Sequence, residues 1–299
     1  MHGSDAIGFI GLGTMGTPIA LRLAETGVPL VIWNRTSSRT DPLREAGAVI
    51  AAIAEDVFAQ CQTILLMLAD EVAIDAVLSR NTDGFASLVA NKLVVSMGTV
   101  SADYSESLSV DISLARGRYV EAPVSGSKKP AQLGQLVSLL AGNDEETKVV
   151  RQLLQPCCKD VFECGQIPKA LQMKFAVNSY LINMVTGLAE AWNLAEQNGL
   201  DTALFTNILN AGPMASDVSR TKLAKLCTGD MSRQAGIQDV WKNCQLVMES
   251  ASSVEAPSPL MKVCSSLYRE AVEMGLEKED MISVGKALKK RKNIAGSKM

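Results

Sequence analysis

Ala6-Ile7-Gly8-Phe9-Ile10-Gly11-Leu12-Gly13-Thr14-Met15-Gly16 is an apolar run that feeds directly into G-x-G-x-x-G. Glycine-rich turns are common, so the motif is weak by itself, but here both flanks agree with it. Behind it, Pro18 to Thr26 reads as a helix with apolar Ile19, Ala20, Leu23 and Ala24, stopped by Gly27. A second strand, Val28 to Trp33, follows at the length of a βαβ unit. In that setting Gly11 permits the tight turn, Gly13 lets backbone approach a pyrophosphate, and Gly16 lets helix pack on strand. The helix N-terminus then offers free N–H groups and a favourable dipole to phosphate. Gly11, Leu12, Gly13, Thr14, Met15 and Gly16 are the expected phosphate loop of a dinucleotide site. An ordinary strand-to-helix turn is the alternative, and the complete spacing disfavours it.

The end of the second strand decides which dinucleotide. An NAD enzyme usually places a carboxylate there to accept from the adenosine ribose. This chain has Asn34-Arg35-Thr36, followed by Ser37, Ser38 and Arg39. A carboxylate would repel a 2′-phosphate, whereas Arg35 attracts it and Asn34, Thr36 and Ser37 can donate to it. A solvated turn would hold similar residues, so the missing acid is the stronger evidence. NADP (NADPH) is the expected cofactor.

At 299 residues the chain can bury a large core and form two domains. A hydrophobic fraction of 47% and a net charge of −3 describe a globular protein. No basic face or nucleic-acid motif stands out, so no nucleic-acid partner is expected. No stretch is apolar for long enough to cross a membrane, and Ile7 to Ile10 reads as the first strand rather than a signal peptide. The seven cysteines form no C-x-x-C pair, and an odd count suits a reducing compartment better than a disulfide framework. Cys157-Cys158 read as packing residues. The one histidine is His2, so neither a histidine acid nor a His-based metal site is available, and no metal is expected. Tyr104, Tyr119, Tyr180 and Tyr268 each lack a lysine four residues on, which removes the tyrosine–lysine pair of short-chain dehydrogenases. A proton donor must come from another residue type, and lysine is the obvious one.

Strands and helices alternate through the first half. After Trp33 come a helix near Asp41 to Ala46, a strand at Ala48 to Ile50 and a helix ending near Gln60. Thr63 to Leu68 and Leu93 to Met97 are continuous apolar runs of the kind buried parallel strands show, and Tyr119 to Ala122 and Gln135 to Ala141 add two more. Beyond Gly165 the character changes. No proline interrupts Lys169 to Gln197, and helical segments follow, separated by Gly199, Gly212-Pro213, Gly229-Asp230, Pro257 with Pro259, and Gly275. The expected fold is α/β: a Rossmann-type doubly wound sheet over 1–165, an interdomain helix over 166–196, and an all-helical C-terminal domain over 197–299. Lys289-Lys290-Arg291-Lys292 reads as a solvated helix end.

Three further segments can carry chemistry. Met67-Leu68-Ala69-Asp70 and Met97-Gly98-Thr99-Val100 follow sheet strands, at the carboxyl edge where open α/β sheets bind ligands. For Asp70 plain loop chemistry competes with a site role. In Glu121-Ala122-Pro123-Val124-Ser125-Gly126-Ser127-Lys128-Lys129-Pro130 a strand ends in Ser, Gly and Ser, whose N–H groups and hydroxyls could cradle a carboxylate; taken alone, a turn is the commoner reading. Lys174 and Asn178 are four apart on the Lys169–Gln197 helix and share a face among largely apolar neighbours. An ammonium there is costly unless paired or functional, and partial burial would lower its pKa and improve it as a proton donor. A lysine snorkelling from a helix edge is the bland alternative.

Taken in order, GLGTMG, EAPVSGSKKPA with GQLVSLLAG, and K-x-x-x-N on a long helix resemble the β-hydroxyacid dehydrogenase family across nearly the whole chain. The Ser-Lys-Lys-Pro variant resembles the branch with glyoxylate and succinic semialdehyde reductases. The resemblance implies a Rossmann-type domain and a helical domain with the active site between them, assembled as a homodimer or homotetramer. It makes Lys174 the catalytic lysine, Asn178 the orienting asparagine, and Ser125, Gly126 and Ser127 the carboxylate-binding turn. Thr99, with Met67 and Leu68, would contact the cofactor. Lys242 matches a second lysine that serves both nicotinamide and substrate. The chain departs from the family beside it: Asn243 stands where aspartate is usual, and Ala235 and Gln238 where the branch commonly has Phe and Lys. The expected reaction is NADPH-dependent reduction of a small carboxylate-bearing aldehyde or ketone, with Lys174 as general acid. The alternatives are 3-hydroxyisobutyrate-type oxidation, an imine reductase (which Lys174 argues against) and a non-catalytic NADP-binding scaffold. A cytoplasmic location is expected, or a peroxisomal one in a eukaryote, from the S-K-L-like Ser297-Lys298-Met299.

Overall fold

The computed structural model describes residues 6–296. His2 and Ser297-Lys298-Met299 lie outside the described residues. The chain divides into two compact units, Met1–Lys174 and Phe175–Met299.

In the first unit the elements run β1 (Ile7–Ile10), α1 (Gly16–Glu25), β2 (Leu30–Trp33), α2 (Asp41–Glu45), β3 (Val49–Ile50), α3 (Ala54–Gln60), β4 (Thr63–Leu66), α4 (Glu71–Leu78) and α5 (Gly84–Val89). They continue through β5 (Leu93–Ser96), α6 (Ala102–Leu114), β6 (Arg118–Glu121), β7 (Val124–Ser125), α7 (Lys128–Gln132), β8 (Leu136–Ala141), α8 (Asp144–Leu154) and β9 (Cys158–Gly165). The sheet order is β3-β2-β1-β4-β5-β6-β8-β7, with β9 added beside β8. The first six strands are parallel, in register from Ile7 opposite Leu30 and Thr63 to Leu93 opposite Arg118. β8 turns antiparallel to β6 and β7 and runs parallel to β9. Two helical faces cover the central strands, which explains why they are apolar at successive positions rather than alternate ones. Phe9, Leu65, Val95 and Val120 form one core with Ile19 and Leu23 of α1.

The expected doubly wound sheet is present, and the structure trims or adds at its edges. Thr63 to Leu68 stops as a strand at Leu66 and Leu93 to Met97 stops at Ser96. Met67 N still donates to the Ile10 carbonyl (2.9 Å), after which the chain turns toward Asp70. Asp70 accepts from Ala73 N (2.8 Å) and caps α4, so the bland reading of that aspartate holds. β9 is an addition the sequence pattern did not suggest. Its residues CKDVFECG are largely exposed and carry no two-residue alternation. Cys157 and Cys158 are buried, as packing residues should be.

α9 (Lys169–Gln197) is a 29-residue helix that begins after Pro168 rather than at the expected 166 and ends one residue beyond the expected 196. Its buried positions, Ala170, Lys174, Asn178, Ile182, Val185 and Ala189, recur every three or four residues and define one face. In the second unit α9 is followed by α10 (Thr202–Ala211), α11 (Asp217–Thr228), α12 (Ile237–Ser253), α13 (Pro259–Glu273) and α14 (Gly285–Gly296). Their core holds a fully buried Tyr268 and a buried ion pair, Lys222 Nζ to Asp280 Oδ1 at 2.6 Å. At the exposed end of α14, Arg291 is clamped by both carboxylate oxygens of Glu270.

Candidate active site

Gly11 leaves β1 at φ +101°, a conformation that L side chains rarely adopt. Its N–H donates to the Trp33 carbonyl (3.2 Å). A Cβ there would collide with the Met67 carbonyl oxygen, so the loops after β1, β2 and β4 meet at this glycine. Gly16 opens α1 against the Gly11 carbonyl with no room for a Cβ, which is the close helix–strand approach the spacing implied. Gly13 is different: a Cβ there would meet no protein atom within 4 Å. The loop therefore presents open backbone at its middle glycine, and the first turn of α1 carries no acidic side chain. That cradle fits a pyrophosphate.

Asn34 ties the next loop to this one. Its Oδ1 accepts from Leu12 N (2.8 Å) and its Nδ2 donates to the Thr36 carbonyl (2.8 Å). Asn34 thus braces the glycine loop, which leaves Arg35 and Thr36, both exposed, as the groups facing outward. Met67 and Leu68 are half-buried beyond β4. Gly98 packs on them: a Cβ on Gly98 would sit 2.7 Å from the Leu68 carbonyl oxygen. Thr99 follows, half-buried, at the end of β5. Gly11, Asn34, Met67, Leu68 and Thr99 therefore all follow the carboxyl ends of parallel strands, where such sheets hold ligands.

Ser125 ends the two-residue strand β7, and Gly126 turns away from it at φ +130°. Ser125 and Ser127 are half-buried and Gly126 is exposed, so the turn's polar groups remain reachable. Four residues upstream, Glu121 ends β6 almost wholly enclosed, at 1% exposure. Burial pushes its carboxyl up to about 7, against the pull of hydrogen bonds from Ser105, Leu171 and Ala170. Sequence reading assigned Glu121 nothing, because a glutamate at a strand end carries no local signal of enclosure.

Lys174 is buried on α9, and burial alone lowers its ammonium to about 8. Such a group changes charge near neutrality, which suits proton donation. Asn178, one turn on, is buried on the same face. Within the second unit Asn178 Nδ2 donates to Asn243 Oδ1 (3.1 Å), and Asn243 Nδ2 donates to the Asp239 carbonyl (2.8 Å). Asn243, which departs from the expected pattern, is therefore a direct partner of Asn178. Lys242 is half-buried on α12. Ala235 and Gln238 flank the start of α12, where Asp280 Oδ2 accepts from Gln234 N (3.1 Å) and Ala235 N (3.3 Å). Asp280 so couples the buried Lys222 to the segment entering α12.

Known proteins match this chain over nearly its whole length. The family model described as the NAD binding domain of 6-phosphogluconate dehydrogenase matches residues 6–165. The NAD-binding model of NADP-dependent 3-hydroxyisobutyrate dehydrogenase matches residues 169–288. The chain belongs to the β-hydroxyacid dehydrogenase family. Among relatives of this dehydrogenase is chloroplastic glyoxylate/succinic semialdehyde reductase 2 of Arabidopsis thaliana, 32% identical over 97% of this chain and 81% of that one. Glyoxylate/succinic semialdehyde reductase 1 of the same plant is 29% identical over 95% and 98%. A solved 3-hydroxyisobutyrate dehydrogenase from Salmonella typhimurium superposes with a TM-score of 0.85 at 21% identity, over 94% and 99% of the two chains, and shows the shared fold. This dehydrogenase is thus an NAD(P)-dependent oxidoreductase of the hydroxyl/aldehyde class, with a nicotinamide dinucleotide as cofactor. Among the described residues no helix is long and apolar enough to cross a membrane.

Proposed function

We propose that this dehydrogenase reduces a small aldehyde or keto acid of the glyoxylate or succinic semialdehyde type, with NADPH and with Lys174 as general acid. The observation that carries the reading is a buried ammonium held near 8 on the helix face that also carries Asn178. Gly11 to Gly16 would hold the pyrophosphate, Arg35 and Thr36 the adenosine 2′-phosphate, and Met67, Leu68, Thr99 and Lys242 the nicotinamide half. When bound, the reduced nicotinamide supplies the hydride. Ser125 and the N–H groups of Gly126 and Ser127 bind the substrate carboxylate and, with Lys242, fix the carbonyl's orientation. Lys174 stabilises the alkoxide as it forms and donates a proton from Nζ to its oxygen. Asn178, steadied by Asn243, orients the amine or the substrate oxygen. We assign the protein to the cytoplasm as a homodimer or homotetramer.

Two measurements test this reading. NADPH oxidation with glyoxylate, succinic semialdehyde and related aldehyde acids is expected to proceed, and to be slower with NADH. Turnover of none of them contradicts the proposal. Replacing Arg35 with alanine removes an exposed cation beside the expected 2′-phosphate and leaves Arg39, also exposed, in place. NADPH affinity is expected to fall about tenfold with NADH affinity unchanged, read by fluorescence titration. An equal effect on both cofactors would remove Arg35 from that role.

A further inference from the structure

Glu121 has no part in the reaction above, yet its carboxylate is built into the support of the catalytic helix. From the end of β6 its Oε1 accepts from Ser105 Oγ (2.6 Å) and its Oε2 from Leu171 N (3.2 Å), and Ala170 N also bonds to it. Those two amides belong to the first turn of α9, where a helix has N–H groups without partners of its own. Lys174 is four residues from Ala170 and three from Leu171, one turn along the same helix. A negative charge at that end also opposes the positive end of the helix dipole favourably. Ser125 leaves the same stretch of chain four residues after Glu121. One side chain, on the strand that leads into the Ser125 turn, is thus bonded to the helix that bears Lys174.

We propose that Glu121 is a positioning residue for Lys174: its charged carboxylate caps α9 and holds the ε-amine in place relative to the Ser125–Gly126 turn. The proposal rests on Lys174 being the proton donor. Tyr119 OH meets Ser105 Oγ (3.0 Å) and adds negative charge only when ionised, Glu106 on α6 favours protonation, and Cys164 on β9 lies near enough to feel the carboxylate. No cation is paired with Glu121 among the described residues. Because the folded-state carboxyl stands near 7 against an ordinary 4.5, the folded chain holds a proton that the unfolded chain has released. Its contribution to stability is therefore full below about 4.5 and is lost as pH rises to about 7. Above that the charge is kept at a cost to stability. A neutral glutamine would meet a purely packing role better, so the ionised form points to use.

The test compares the full-length wild type with E121Q in NADPH-dependent reduction of glyoxylate or succinic semialdehyde between about pH 5.5 and 9. Wild-type kcat is expected to fall as pH drops below about 7. E121Q is expected to lack that acid limb and to show kcat reduced about tenfold at pH 8, with KM for NADPH unchanged. Its Tm should exceed that of the wild type at pH 8 and converge with it near pH 5. Wild-type kcat with the acid limb intact in E121Q would overturn the proposal. A second readout needs no turnover: in 15N-leucine-labelled protein the Leu171 amide shift should titrate near 7, and E121Q should abolish this and change the acetylation rate of Lys174. If no aldehyde acid is reduced, the functional reading fails, and this readout still decides the coupling: a flat Leu171 shift contradicts it.

Discussion

Replacing Lys174 with alanine is expected to lower kcat for the aldehyde acid by roughly 10²–10⁴-fold, with the Kd for NADPH changed by less than about twofold. The side chain is buried on α9 and its ammonium is lowered by burial to about 8, so it can give up a proton near neutral pH more readily than an exposed lysine. On the proposed mechanism, removing it deletes both the charge that meets the developing alkoxide and the proton that quenches it. The glycine loop and the Arg35 turn are untouched, which is why cofactor affinity should survive. Lys174→Arg separates the two contributions. Its guanidinium keeps the charge but gives up no proton in this range, so partial recovery would apportion the effect to electrostatics. Turnover near wild type in the alanine variant would show that another group protonates the product.

The second large effect distinguishes Gly16 from Gly13 in the phosphate loop. Gly16→Ala would drive a Cβ into the Gly11 carbonyl and against Phe9, 3.3 Å away, where backbone must yield. The expected outcome is a loss of about 1–3 kcal/mol of stability or more, seen as a lower Tm, with NADPH binding abolished. Gly13→Ala is expected to fold normally, since its Cβ meets nothing within 4 Å. It should still weaken NADPH by more than about tenfold, because the new methyl group occupies the space into which the pyrophosphate must come. Equal Tm with full NADPH affinity in Gly13→Ala would mean that the pyrophosphate lies elsewhere.

Most of the sheet was readable because burial on both faces leaves a simple trace. Phe9, Ile64 and Val94 sit in runs whose apolar character is unbroken, and glycines of fixed spacing punctuate them. α9 was readable to within three residues of each end for a related reason: nothing between Lys169 and Gln197 breaks a helix. β9 left no such trace because an edge strand with exposed residues has no face to bury. The candidate site divides in the same way. Lys174 and Asn178 announce themselves as polar residues at helical spacing in an apolar stretch. Glu121 and Asn243 do not, because their roles lie in contacts across the chain: Glu121 meets Leu171 fifty positions later, and Asn243 meets Asn178 sixty-five positions earlier. Asn34 shows a further contact across the chain that the sequence did not signal. Its amide spends its oxygen on Leu12 N and one N–H on the Thr36 carbonyl, which leaves a second N–H for the expected phosphate.

The pH dependence of turnover in both directions tests Lys174 most directly. On the proposed mechanism, reduction needs the ammonium and oxidation of the hydroxy acid needs the free amine. With the folded-state value lowered to about 8, kcat for reduction is expected to fall as pH rises through that value while kcat for oxidation rises through it. Both limbs should vanish in Lys174→Ala. A basic limb that persists unchanged in that variant, or its absence from the wild type, would contradict the account.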